Sequence, residues 1–187
     1  MRQGDILRDV HWIEYVDEQA GNIEVARVVF PLAIVLTQDC DLEQEHRFRT
    51  DPRKTTQDKW LVSVLMAPLY NVEHVYAGEH LSELQIKMEP IQKTKTPGQY
   101  LRHNDRPRYH YLDFEEDVPL VPSVIDFKHY FSVTVRYLNS IKKASYVCSV
   151  APLFREGIAQ RFAAYLSRVG LPEVDVPQVE QRRVAGQ

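Results

Sequence analysis

Three groupings in this sequence have residue types and spacing that could do chemistry. The first is Gln38-Asp39-Cys40-Asp41, where the hydrophobic run "FPLAIVLT" ends in two aspartates flanking a cysteine. Asp39 and Asp41 could supply oxygens to a hard cation, which needs about six donors. They are the metal candidates, and two carboxylates fall short of such a set, so no cofactor is expected. Cys40 could act as a thiolate nucleophile if His46 or a distant histidine served as its base; it could equally be a small buried apolar residue. Aspartates at a strand end also bond nearby backbone N–H groups and start a turn, which alone explains both of them. The turn is the expected reading.

The second grouping is "YLRHNDRPRYHYLDF", which concentrates Arg102, His103, Arg106, Arg108, Tyr109, His110 and Tyr111. Guanidinium groups pair with phosphates and aromatic rings stack on unpaired bases, so this mixture suits single-stranded RNA or DNA. Asp105, Asp113, Glu115 and Glu116 dilute it, and a solvated loop entering a tyrosine-rich strand is the plainer account. The third grouping is the histidines. His11, His74, His80, His103, His110 and His129 lack HxH or HExxH spacing, so a histidine metal centre is not indicated.

The elements that must position these residues are mostly strands. Segments rich in Val, Ile, Tyr and Phe alternate with turn residues: "GDILRDVHWIEYV", "NIEVARVVF", "LAIVLTQ", "KWLVSVLMAPL", "RYHYLDF", "PSVIDF" and "YFSVTVRYL". Gly21-Asn22 falls where a hairpin turn suits residues tolerant of positive φ. "LAIVLT" is apolar on consecutive positions, as in a strand covered on both faces, and is expected at the centre of the core. Glu43 to Lys59 is almost wholly polar and reads as a mobile or functional loop, as does Glu89 to Arg108 with its Pro97-Gly98 turn. Between them, "YNVEHVYAGEHLSELQIK" has room for one short helix.

The clearest element is a helix over 152–169. Pro152 suits a first turn, and Phe154, Ile158, Phe162, Tyr165, Leu166 and Val169 recur at three- and four-residue steps, before the stop at Gly170-Leu171-Pro172. Its stripe should pack on the sheet, with Arg161 and Arg168 keeping the outer face in water. Residues 1–172 form one β-rich domain on this reading, and 173–187 a loosely held tail.

The chain's 187 residues suffice for a single core. With 23 Lys and Arg against 26 Asp and Glu, the formal charge of −3 supplies no global basic field for nucleic acid or an anionic membrane. Two isolated cysteines, Cys40 and Cys148, argue against a disulfide scaffold and for a reducing cytoplasm. The charged amino terminus and the lack of a run of about 18 apolar residues point to a soluble protein with no membrane partner.

Gly4-Asp5-Ile6, the hairpin, and Pro31-Leu32-Ala33-Ile34-Val35-Leu36-Thr37 together resemble the opening of the MazF/PemK-like toxins, over about the first third of the chain. That resemblance implies an SH3-like barrel, and with it an α+β, mainly β fold: a partly closed barrel with extra strands and a carboxyl-terminal amphipathic helix. The family usually carries an arginine before the proline, where this chain has Phe30, and the chain keeps the hydroxyl at the strand's end as Thr37. The segment "SVAPLFREGIAQRFAAYLSRVGLP" is similar to the ends of uncharacterised bacterial proteins associated with mobile elements or phage defence. The expected function is a non-catalytic accessory in bacterial stress response or phage defence, which binds a protein partner or single-stranded nucleic acid. The alternative is a divergent, metal-independent toxin-type endoribonuclease using Thr37, Arg106 and His110 as catalytic candidates, with His103 as a further proton donor.

Overall fold

The computed structural model describes residues 1–93 and 101–168. It is an α+β fold whose elements run β1 (Asp5–Gln19), β2 (Asn22–Val35), α1 (Asp39–Thr50), β3 (Ser63–Asn71), α2 (Val72–Ala77), β4 (Tyr109–Leu112), β5 (Ser123–Asp126), β6 (Phe131–Thr134), α3 (Val135–Ser145), β7 (Tyr146–Ser149) and α4 (Pro152–Leu166). The seven strands form one sheet in the order β4-β5-β3-β2-β1-β7, with β6 also paired to β3. All the pairings are antiparallel. Among the described residues no helix is long and apolar enough to cross a membrane.

β1 and β2 form a long hairpin. Its two-residue turn is Ala20-Gly21, one position earlier than the sequence suggests, with φ of 51° and 81°. Positive φ at both central residues gives the turn a twist that matches the strands. β2 is one strand where the pattern reads as two, because it passes through Pro31. Proline has no N–H for the ladder, and the facing residue, Asp9, takes φ 54°. The strand bends there. Leu7 and Val10 are an odd number of residues apart, which in a regular strand puts them on opposite faces, yet both join the same core cluster.

The run Ala33-Ile34-Val35-Leu36 is buried throughout, as its consecutive apolar residues predict. Ala33 and Val35 face a cluster with Leu7, Val64, Met66, Phe131 and Val133, capped by Leu42 of α1 and Leu138 of α3. Ile34 and Leu36 face a second cluster with Ile6, Phe127 and Ile125, covered by Ile158 and Phe162 of α4. Helices on both faces therefore bury this strand from either side, each large aliphatic side chain contributing about 1.5–3 kcal/mol. A third cluster gathers Val72, Val75, Leu101, Tyr109 and Val124 under α2.

The expected partial closure into a barrel is not found: the sheet is open. β7 pairs with β1 and β6 with β3, but β6 and β7 do not pair with one another. The reason lies in "YFSVTVRYL", which reads as one strand but divides. Thr134 Oγ1 accepts a hydrogen bond from Tyr137 N at 3.2 Å and caps α3, so residues that would have extended β6 toward β7 are coiled instead.

Two other expectations need correction. The polar segment from Glu43 is not a loop up to Thr50; it belongs to α1, whose first turn carries Asp39 and Asp41 and whose last carries Arg47 and Arg49, each charge matched to the helix dipole. α4 buries Ile158, Phe162 and, unexpectedly, Arg155, while Phe154 and Leu166 of the predicted stripe are exposed. Val169, the stop after it and the tail lie outside the described residues, as does Pro97-Gly98.

Candidate functional site

Asp39 does not make a local turn. It opens α1 and holds two distant segments: Oδ1 accepts Gln3 N at 2.6 Å and Oδ2 accepts Arg155 Nη1 at 3.0 Å. Arg155 Nε also donates to Val150 O at 2.6 Å, and Gly4 N donates to Val35 O. The aspartate thus ties the amino terminus, α1 and α4 together, and both of its oxygens are taken. Cys40 is exposed, its Sγ 3.6 Å from Gln38 Oε1, and Asp41 is exposed beside it. Thr37 Oγ1 accepts Leu65 N at 2.7 Å and joins the end of β2 to β3.

The arginine- and tyrosine-rich segment is largely turned inward. Arg108 forms a forked ion pair with Asp126, Nε to Oδ1 at 2.8 Å and Nη2 to Oδ2 at 2.6 Å. Tyr109 is buried, and burial first, then the charge of Asp126, pushes its hydroxyl up to about 12. His110 is buried as well, its pKa driven down to about 4 by desolvation and by Arg161. Arg161 itself points inward rather than to water, its Nη2 donating to the carbonyls of Arg106 and Tyr109 at 3.0 and 2.9 Å. Tyr111 is half-buried, Arg106 partly so, and of the candidate binding residues Arg102 and His103 are exposed. A forked phosphate contact needs a guanidinium edge with uncommitted N–H donors, and the Nε–Nη2 edge of Arg108 already donates to Asp126.

Sequence reasoning missed the cluster around Asp126. This carboxylate is fully buried, with Lys128 N at 3.0 Å from Oδ1, His129 Nδ1 at 2.9 Å from Oδ2 and His80 Nε2 at 3.9 Å. Burial would raise its pKa, but the hydrogen bonds of Arg108 and the contact with His129 outweigh it and hold the group below its usual range. Burial wins over Asp126 at His80 and lowers that imidazole, so it stays neutral near pH 7. It also raises the hydroxyl of Tyr70, whose ring lies 5.1 Å from His80. His129 is 27% exposed, and its Nδ1, the atom that faces Asp126, is buried. The signal was an aspartate at the end of "SVID" followed three residues later by a histidine; His80 carried none.

The outer half of the β1–β2 hairpin is open to solvent. The register sets His11 beside Val29, Ile13 beside Arg27, Val16 beside Val25 and Glu18 beside Ile23. The bulge between Ile13 and Tyr15 adds one residue, so Ile13 and Val16 share a face despite their odd spacing. On that face Ile13, Val16, Ile23, Val25 and Val29 are all exposed, Ile23 to 69% and Val16 to 60%. The opposite face is polar toward the tip and packs Trp12 and Val28 on the core at its base. Elsewhere, a groove of about 900 Å³ between α1 and α3 mixes Arg2, Glu43, His46 and Lys142 without a dominant charge.

Among the described residues no three histidine, cysteine, aspartate or glutamate side chains are placed to hold a metal ion. No protein-family model matches the chain, and no curated protein matches it.

Proposed function

We propose that this protein is a non-catalytic interaction module whose binding surface is the outer face of the β1–β2 hairpin. The observation that carries this reading is the row of five exposed aliphatic residues on one face of a ribbon, with Arg27 and Glu18 among them. Contiguous apolar surface of this kind marks sites of association in soluble proteins. A protein partner fits better than nucleic acid, because Arg108, Tyr109 and His110 are used internally and leave Arg102, His103 and Arg106 as a small remnant of the basic patch. The bent β1–β2–β3 sheet is compatible with descent from an SH3-like, PemK-type barrel, and the two sequence resemblances supply a bacterial stress or phage-defence setting in the cytoplasm.

A photo-crosslinking residue at position 25, introduced into the protein in its own cells, tests this reading. A single reproducible adduct is expected, lost when Ile23→Asp is added and not formed from exposed Glu116. Equal labelling from both positions would end the proposal.

One geometry favours the alternative of a metal-independent ribonuclease. Asp126 Oδ2 lies 2.9 Å from Nδ1 of the part-exposed His129, a carboxylate–imidazole contact of the kind that general bases use. In that case His129, not His110 or Thr37, carries the proton. Cleavage of single-stranded RNA in EDTA that disappears in His129→Ala would select it.

A further inference from the structure

We infer that the partner of the hairpin face is a second copy of this chain, bound face to face with the two hairpins antiparallel. The inference rests on the reading of that face as a binding surface and adds the identity of the occupant.

The face carries its own complement. Along the ribbon from base to tip, Ile13 and Arg27 form one cross-strand pair, Val16 and Val25 the next, and Glu18 and Ile23 the third. Within these three pairs the one cation lies on the base side of an aliphatic centre and the one anion on the tip side. Of the hairpin's other exposed acids, Asp17 and Glu24 are cross-strand neighbours on the other face, where Tyr15 Oη reaches Glu24 Oε1 at 3.4 Å, Glu14 is the extra, unpaired residue of the bulge, and Asp9 lies opposite Pro31 at the bend. Arg27 Nη1 lies 3.4 Å from His11 Nδ1, as expected for two residues on the outer face. Neither Arg27 nor Glu18 is among the intrachain ion pairs of the described residues.

A two-fold axis through the Val16–Val25 pair, perpendicular to the strands, lays the base of one hairpin over the tip of the other. Arg27 then falls near the partner's Glu18, and Glu18 near the partner's Arg27, so one contact is made twice. An isologous interface needs this self-complementarity. Sheets pack about 10 Å apart, within reach of an arginine and a glutamate extended toward each other. Between the two ion pairs, Val16, Val25, Ile13 and Ile23 of both copies leave water together, which supplies the driving force, while the charges fix the antiparallel orientation. Parallel stacking would set Arg27 against the partner's Ile13 and leave the charges unmatched. The patch is small beside the roughly 800 Å² per partner of a stable interface, so the dimer is weak and depends on concentration.

Sedimentation velocity on the full chain over a wide concentration series tests this. Wild type is expected to pass from monomer to dimer, and Val25→Asp to stay monomeric. Arg27→Glu and Glu18→Arg should each weaken dimerisation by about tenfold or more, because each creates two like-charge contacts. Mixing these two variants should restore a dimer, since every ion pair is then complementary, and the double variant should recover dimerisation alone. The rescue cannot arise from misfolding. A wild type that stays monomeric throughout, or a dimer indifferent to Val25→Asp and to the charge reversals, would overturn the inference. A monomer that still crosslinks from position 25 to another protein would do the same while sparing the broader reading of the face.

Discussion

At His110, an imidazole placed in a Tyr-rich strand has become a neutral core residue. Burial and Arg161 hold its pKa at about 4, against an ordinary value of 6.5. An unfolded chain therefore takes up a proton near pH 6.5 that the folded chain refuses until about pH 4. The stability this group contributes is complete above 6.5 and is lost as pH falls toward 4, a change of about 3 kcal/mol. Urea denaturation at neutral pH and near pH 4 should show that loss, and His110→Leu should reduce it, the remainder tracking His80, which burial also depresses. Asp126→Asn is expected to destabilise by about 3 kcal/mol, because Arg108 is left with half its fork unanswered in a buried setting. Adding Arg108→Gln should recover part of that loss, and a double-mutant cycle followed by thermal melting measures the coupling. Little of this was legible beforehand. A histidine or arginine type says what chemistry is possible, but whether it faces water or a carboxylate from another strand depends on pairings such as β4 with β5 that local sequence does not encode.

Legibility improves at the level of elements wherever burial leaves a periodic trace. The consecutive apolar residues of β2 gave away a strand covered on both faces, and Pro152 with Ile158 and Phe162 gave away α4. α1 left almost no trace, because Leu42 and Glu45 are its only buried residues, and Glu45 is held by Arg49 and by Leu61 N at 2.5 Å rather than by apolar packing. α3 was hidden by β-branched Val133, Thr134 and Val135, which favour strand, until the Thr134 cap turned the chain. The elements meet at Gly4. Its φ is 79°, and a Cβ there would lie 2.9 Å from Arg155 Cγ and 3.2 Å from Val150 Cβ. Gly4→Ala should therefore cost about 2 kcal/mol in thermal unfolding, and Asp39→Ala, which frees Arg155 and Gln3 N, should lower the midpoint as well.

For the whole molecule, the sheet depends on both ends of the chain: β7 covers the outer edge of β1, and α4 closes the face formed by Ile6, Ile34 and Phe127. Ending the chain at Ser149 should expose that face; strong dye binding and a broad, non-cooperative melt are expected, as in states that keep collapse but lose specific packing. A sharp native-like melt from the shortened chain would mean that α4 is dispensable. The pairing of Asp5 with Ser149 also sets an order of events during synthesis. β1 leaves the ribosome well before β7, the strand that covers its free edge, with more than a hundred residues between them. Throughout translation, then, the nascent chain presents an uncovered β edge beside an aliphatic ribbon, the combination that chaperones engage and that neighbouring nascent chains in a polysome can pair with.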